Sequence, residues 1–140
     1  MIGALENIAL HATADISAVE VGLRRIPNDD PKGTFAPAII DLIRTGKAKV
    51  FEIVRNGAVV GFTVYQIENF GPNYKELISV ATHCPHTSNL RYEIEAQLLQ
   101  HAKNLGCQSI RMHTVRQGLV KEALDNDWHV AEIVLRKSIK

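Results

Sequence analysis

Side chains that can take part in chemistry cluster where an apolar strand runs into a long amphipathic helix. The strand at 75–82 leads directly to His83 and Cys84, and the first turn of the helix carries Arg91 and Tyr92. A helix that starts after a strand offers an anion site, because its first N–H groups have no acceptor within the helix. An arginine there can bind a phosphate through two hydrogen bonds. The spacing therefore predicts a phosphate site with Arg91 and Tyr92 as its side-chain contacts.

Arg91 has a second candidate partner on its own helix. Glu95 follows it by one helical turn. Opposite charges at this spacing commonly pair on a solvent-exposed helix face. The sequence favours neither the phosphate contact nor this ion pair, so both alternatives stay open.

Several potential metal ligands lie in the same loop. His83, Cys84 and His86 are close in sequence, and His113 or Cys107 could complete a set. Structural zinc sites usually show paired motifs such as Cys-x₂-Cys with His-x₃₋₅-His, and the sequence has no such pair. A cysteine nucleophile also needs a recognisable base, which is missing for Cys84. We therefore predict neither a metal site nor a cysteine nucleophile.

The composition limits the possible classes of protein. The chain of 140 residues is 46% hydrophobic and 22% charged, which fits a single globular domain over 1–140. A net charge of +1 without a clustered basic patch predicts no nucleic-acid or membrane partner. The two cysteines do not form a disulfide framework, and neither a signal peptide nor a membrane span is recognisable. These features predict a cytoplasmic protein.

The elements that position the candidate residues follow from hydrophobic periodicity and turn signals. Asn56-Gly57 indicates a two-residue type I′ hairpin, and Gly46 is placed to end a helix. Residues 48–83 thus read as a three-stranded antiparallel meander, and 75–114 as a right-handed strand–helix–strand crossover. Residues 8–10 could add a short first strand. Helices are predicted at 15–26, 35–45, 89–105 and 117–126, and strands at 49–54, 58–67, 75–82, 107–114 and 128–139.

This order of elements resembles the GNAT superfamily of N-acetyltransferases. Three local features carry the resemblance: the Asn56-Gly57 hairpin with the strand that follows, the helix with Leu98-Leu99, and the ending around Trp128. The resemblance implies an α/β (α+β) fold with a single acetyltransferase-like domain. Its mixed central sheet would combine an antiparallel N-terminal meander with a β-α-β crossover, and helices would cover both faces.

The resemblance also implies a reaction. Members of the family transfer an acetyl group from acetyl-CoA to an amine, which here would belong to a small molecule or a protein. Amides from a bulge in the fourth strand, around 79–84, would polarise the thioester carbonyl, and Glu76 or His83 would be the general base. Alternatively, Glu76 is an exposed edge charge and His83 a loop histidine bonded to backbone. Some members dimerise through their late strands, so the resemblance allows a homodimer, although the sequence does not establish one. The cofactor contacts implied are His83, Cys84, Arg91, Tyr92 and Ala96.

Two departures from the family pattern support an alternative. The glycine positions of the pyrophosphate loop fall either on Glu93 and Glu95 or on Ile94, and Ala123 stands where many members have a tyrosine that protonates the leaving thiolate. Carboxylates beside a pyrophosphate are repulsive. The alternative is a degenerate GNAT-fold protein that binds no coenzyme A and acts as a structural or protein-interaction module.

Overall fold

A computed structural model describes residues 8–28, 33–85, 90–114 and 117–139. Within these ranges, five strands and four helices follow one another along the chain. They are β1 (Ile8–Ala12), α1 (Ile16–Leu23), α2 (Phe35–Arg44), β2 (Lys49–Arg55), β3 (Ala58–Asn69), β4 (Lys75–His83), α3 (Arg91–Asn104), β5 (Ser109–Met112) and α4 (Gln117–Leu124).

The strands form one mixed sheet in the order β1-β2-β3-β4-β5. Strands β1 to β4 pair antiparallel with their sequence neighbours, whereas β4 and β5 pair parallel across α3. A parallel pair requires a crossover connection, and the helix supplies it. This arrangement confirms the predicted antiparallel meander and the β-α-β unit, and it shows that 8–12 form a first strand.

Residues that adopt positive φ explain where the turn between β2 and β3 lies and where α2 ends. Asn56 and Gly57 have φ values of 50° and 81°, and both central residues of a type I′ turn need positive φ. The turn therefore joins β2 and β3 as the dipeptide predicts. Gly46, with φ of 75°, follows the C-cap residue of α2 and ends that helix in the left-handed conformation.

Two apolar clusters cover the two faces of the sheet, which confirms the predicted helices on both sides. Val64 and Tyr65 are consecutive in β3 and belong to different clusters, because successive side chains of a strand point to opposite faces of the sheet. The face covered by α1 and α2 is called the α1–α2 face, and the other the α3 face. The α1–α2 cluster includes Val19, Leu23, Ile39, Ile40, Val50, Phe62, Val64 and Ala81. The α3 cluster includes Ile8, Ile53, Tyr65, Leu77, Leu90, Ile94, Leu98 and Ala102.

The strand predicted at 128–139 is wrong: the described chain has no strand after α4. Ile133 and Leu135 remain 80% and 90% exposed. Ile133, Val134 and Leu135 are consecutive, so they cannot all face one side of a sheet. An apolar stretch becomes a strand only where a neighbouring strand accepts its backbone hydrogen bonds, and no ladder reaches this segment from the described strands. No helix in the described ranges is long and apolar enough to cross a membrane.

Candidate active site

Strand β4 contains a β-bulge at Val80. Val64 and Tyr65 are neighbours on β3, yet they pair with Ala81 and Ser79, so Val80 has no residue opposite it. A bulge of this kind bends its strand and redirects the backbone groups beside it. The bulge lies within 79–84, where the resemblance places it.

The two central strands, β4 and β5, stop pairing at the same level of the sheet. Parallel pairing of β4 with β5 runs from Glu76 opposite Ser109 to Ser79 opposite Met112. Beyond Ser79, β4 continues to His83, but the ladder to β5 does not continue within the described residues. The β5-facing edge of residues 80–83 can therefore offer backbone N–H groups to a ligand.

The His83 side chain lies on the α1–α2 face at the end of β4. Its ring centroid is 5.9 Å from that of Phe62. The ring also lies against α1, because a Cβ added to Gly22 would be 2.9 Å from His83 Cδ2. Burial, and then the positive charge of Arg25, lower the pKa of His83 from its ordinary value. His83 is therefore neutral at neutral pH and able to accept a proton.

Cys84 packs on the other side of the sheet. It contacts the α3 cluster, so the adjacent His83 and Cys84 side chains diverge. The β3 backbone runs unusually close here, since a Cβ on Gly61 would be 2.2 Å from the His83 carbonyl oxygen. No group of three potential metal-binding side chains comes together within the ranges the structure describes, and His86 lies outside them.

Glu76 lies at the other end of β4 and is bound by β5. Its carboxylate is 3.2 Å from Arg111 Nη1 and accepts a 2.8 Å hydrogen bond from the Ser109 hydroxyl. Glu76 and Val80 are four positions apart, which is about 13 Å along a strand. Direct proton transfer between Glu76 and a group held at the bulge is therefore not supported by this geometry. The contacts are those of a structural ion pair.

The predicted phosphate contacts at the start of α3 both bind α4. The Arg91 guanidinium forms an ion pair with the Glu122 carboxylate, and the Tyr92 hydroxyl donates a 2.9 Å hydrogen bond to Glu122 Oε1. Glu95, the alternative partner of Arg91, instead accepts a 2.7 Å hydrogen bond from the Trp128 indole. Arg91 and Tyr92 thus lie together, as predicted, but α4 already satisfies them.

The helix backbone at this point is less obstructed than the sequence suggested. Leu90 is the N-cap residue of α3, and its side chain has no oxygen to accept from the first-turn N–H groups. Ile94 is buried in the α3 cluster and so points away from the helix start. Ala96 is exposed in the second turn, where its N–H is used within the helix. Glu93 Oε2 is buried without a hydrogen-bond partner among the described residues.

Sequence reasoning missed a polar cluster on the α1–α2 face. Arg111 bridges Glu68 at 2.9 Å and Glu76 at 3.2 Å, and Ser109 links Glu76 to the Tyr74 hydroxyl at 2.8 Å. Alternation within 109–112 places Ser109 and Arg111 on one face. That signal is readable from the sequence, but the register that brings them beside Glu76 is not.

Comparison with known proteins identifies the fold. No protein-family model matches the sequence, and no curated protein does. Among solved structures, a putative acetyl transferase from Pyrococcus furiosus aligns over 95% of this chain and 100% of its own, with a TM-score of 0.70 and 10% identity. An acetyltransferase from Trypanosoma brucei aligns over 95% and 100%, with a TM-score of 0.66 and 15% identity. A predicted acetyltransferase with acetyl-CoA from Clostridium acetobutylicum aligns over 96% of both chains, with a TM-score of 0.65 and 12% identity.

These similarities extend over nearly the whole of each chain, and at such identities they show a shared architecture. The protein has the GNAT acetyltransferase fold, which confirms the fold that the sequence predicts.

Proposed function

We propose that the protein transfers an acetyl group from acetyl-CoA to an amine. The observation that carries this proposal is the bulge at Val80, located where β4 and β5 stop pairing. Backbone N–H groups at such a point can donate to a thioester oxygen as it becomes negative, and preorganised donors of this kind stabilise the transition state. The fold shared with a predicted acetyltransferase that holds acetyl-CoA supports the same cofactor here.

The proposed reaction is direct attack on the thioester. The amine first loses a proton, for which the neutral His83 imidazole is the candidate acceptor. Its nitrogen then forms a bond to the acetyl carbon while the carbon–sulfur bond breaks. The thiolate leaves as coenzyme A and takes the second proton of the amine nitrogen. With an alanine at position 123, that proton comes from the amine or from water rather than from a tyrosine at that position.

A second candidate function is a protein-interaction module that binds no coenzyme A. The observation that favours it is that the Arg91 and Tyr92 side chains at the start of α3 are both bound by Glu122. The Glu93 carboxylate, one oxygen of which is buried without a partner among the described residues, lies in the same turn. A pyrophosphate would have to displace Glu122 from Arg91 and Tyr92, and it would lie close to the Glu93 carboxylate, which repels it.

Calorimetric titration with acetyl-CoA, coenzyme A and 3′-phosphoadenosine diphosphate separates the two candidates. We expect acetyl-CoA to bind in the micromolar range and the nucleotide half alone to bind more weakly, because it leaves the β4–β5 gap empty. Binding of the nucleotide as tightly as acetyl-CoA would assign the affinity to α3 alone. No binding at millimolar acetyl-CoA, with circular dichroism showing folded protein, would refute the acetyltransferase proposal and favour the second candidate.

A further inference from the structure

The segment that follows α4 is the most exposed apolar part of the described chain. Residues 129–139 form neither helix nor strand, every one of them is exposed, and together they are called the arm. Ile133 and Leu135 are 80% and 90% exposed, and Ile139 is 99% exposed. A contiguous apolar stretch of this kind marks an interaction surface rather than ordinary solvent-facing chain.

The arm has the composition of a strand. It contains no glycine and no proline, so each of its residues can donate a backbone N–H to a ladder. Val130, Ile133, Val134 and Ile139 are β-branched, a type of residue that is enriched in strands. Successive side chains of a strand point to opposite faces, so Val134 would lie on one face and Ile133 with Leu135 on the other. Apolar residues on both faces are typical of a strand in a sheet that is covered on both sides.

Strand β5 offers the edge of such a sheet. Among the described strands, β5 pairs with β4 alone, so its other side is an edge of the sheet. An edge strand presents backbone N–H and C=O groups that can pair with a further strand. The sheet has an apolar cluster on each face, and Ile110 of β5 packs against the α3 cluster. A strand added beside β5 would therefore extend a sheet that is covered on both sides, as the arm requires.

A second copy of the chain is the partner that satisfies both surfaces. In one copy, the arm forms no ladder with β5 or with any other described strand. Two copies related by a two-fold axis can each place the arm on the β5 edge of the other, because an isologous contact repeats the same pairing twice. The assembly then closes at two chains, with both arms and both edges used. A different protein would match only one of these elements and would leave the other exposed.

The accessible surface of the chain is larger than that of a typical monomer. It amounts to 9680 Å² for a mass of 15.5 kDa. A folded monomer of that mass exposes about 7,200 Å², so the chain exposes roughly 2,500 Å² more. A standard interface removes about 800 Å² from each partner. The excess, to which the arm contributes, is therefore large enough for a stable dimer.

We infer that two copies of the chain form a symmetric dimer by exchanging arms, each arm adding a strand to the β5 edge of the other copy. The strand that the sequence predicts at 128–139 then forms only in the dimer, where the other copy supplies the ladder. A hydrogen bond from the Trp128 indole to Glu95 holds the start of the arm against α3, so the exchanged segment begins at residue 129. The dimer does not depend on the proposed acetyl transfer, and its test needs no acetyl-CoA.

Light scattering coupled to size-exclusion chromatography measures the mass of the full chain and of two arm variants. We expect the wild type at twice 15.5 kDa. Ile133→Asp and Leu135→Asp place a carboxylate at positions that are exposed in one copy but packed in the dimer, so each should weaken dimerisation by at least about tenfold. Val59→Asp is the matched control and should remain a dimer, because Val59 is an exposed apolar residue on β3, two strands away from β5.

Two results would overturn the exchange. A wild type that stays at 15.5 kDa up to millimolar concentration would show that one copy is complete by itself. A dimer whose dissociation constant is unchanged in both arm variants would have to form through another surface. Circular dichroism checks that the variants are folded, which is expected because both positions lie outside the two apolar clusters.

Hydrogen exchange of the wild type and Leu135→Asp then locates the added strand. We expect the amides of the arm and of β5 to exchange at least about tenfold more slowly in the wild type, because the new ladder protects both. Strand β1, the opposite edge of the described sheet, should exchange equally in the two proteins. Slow exchange at β1 instead of β5 would refute the assignment of the edge. Slow exchange of the arm in a monomeric wild type would refute the exchange itself, since the arm would then pair within its own copy.

Discussion

Glu122→Gln is the substitution that most directly tests whether the start of α3 binds a pyrophosphate. Glu122 holds Arg91 in an ion pair, so Arg91 must leave it before contacting a phosphate. The two side chains are 34% and 37% exposed, and partly exposed pairs contribute about 0.2–1 kcal/mol. Releasing Arg91 should therefore tighten acetyl-CoA binding by up to about fivefold. Glutamine keeps an oxygen that can accept the Tyr92 hydrogen bond but turns an NH2 group toward Arg91, so Arg91 loses both the opposite charge and its acceptor.

The assay is calorimetric titration of acetyl-CoA into the wild type and four variants at one ionic strength. Arg91→Ala should weaken binding about tenfold, since hydrogen bonds to charged groups contribute about 1.5–3 kcal/mol. The double variant should match Arg91→Ala, because Glu122 is expected to act only through Arg91. Arg24→Ala is the control: Arg24 pairs with Glu20 at 3.0 Å on α1 and should leave affinity unchanged.

Two results would refute this reasoning. If Glu122→Gln weakens binding while the protein stays folded, Glu122 positions the site rather than competing for Arg91. If Glu122→Gln tightens binding equally in the Arg91→Ala background, the gain comes from removing a negative charge and Arg91 is not a ligand.

Three further predictions concern stability. Leu77 is fully buried, so Leu77→Ala should lower the free energy of unfolding by about 2–5 kcal/mol in urea titration, and a loss below 1 kcal/mol would contradict the packing described. Gly61→Ala should lower Tm, because its Cβ would lie 2.2 Å from a β4 carbonyl oxygen, whereas Gly118→Ala, with open space around it, should not. Burial, and then Lys49, lower the pKa of His101 below its ordinary 6.5. The unfolded chain therefore binds this proton more readily, so stability should fall as pH drops below about 6.5, and His101→Gln should reduce that dependence in pH-resolved melts.

The elements that sequence reasoning identified correctly have local causes. Asn56 and Gly57 adopt positive φ at low cost, so they define the hairpin without help from distant residues. Gly46 ends α2 for the same reason. The bulge at Val80 was expected only through the resemblance, since nothing in the residues 79–84 themselves specifies an unpaired position.

The partners of the candidate residues could not be predicted, because they depend on tertiary register. Arg91 had a plausible local partner in Glu95, yet its partner in the structure is Glu122 on α4. Arg111 meets Glu68 only because β4 lies between β3 and β5 in a particular alignment. A shift of one residue would turn these side chains to opposite faces of the sheet.

The departures from the family pattern at the start of α3 do not all count against anion binding. Ile94 packs into the α3 cluster, and the Glu95 carboxylate is occupied by the Trp128 indole. The remaining opposition comes from Glu93 within the first turn and from Glu122, which competes for Arg91. Because two carboxylates outnumber one guanidinium, side-chain charge alone cannot attract a pyrophosphate here. Among the described residues, the groups that can favour a pyrophosphate are the first-turn N–H groups of α3, the β4 edge at 80–83 and a released Arg91. Because Glu122 competes for Arg91 and Glu95 does not, the charge of Glu122 should control binding more strongly than that of Glu95.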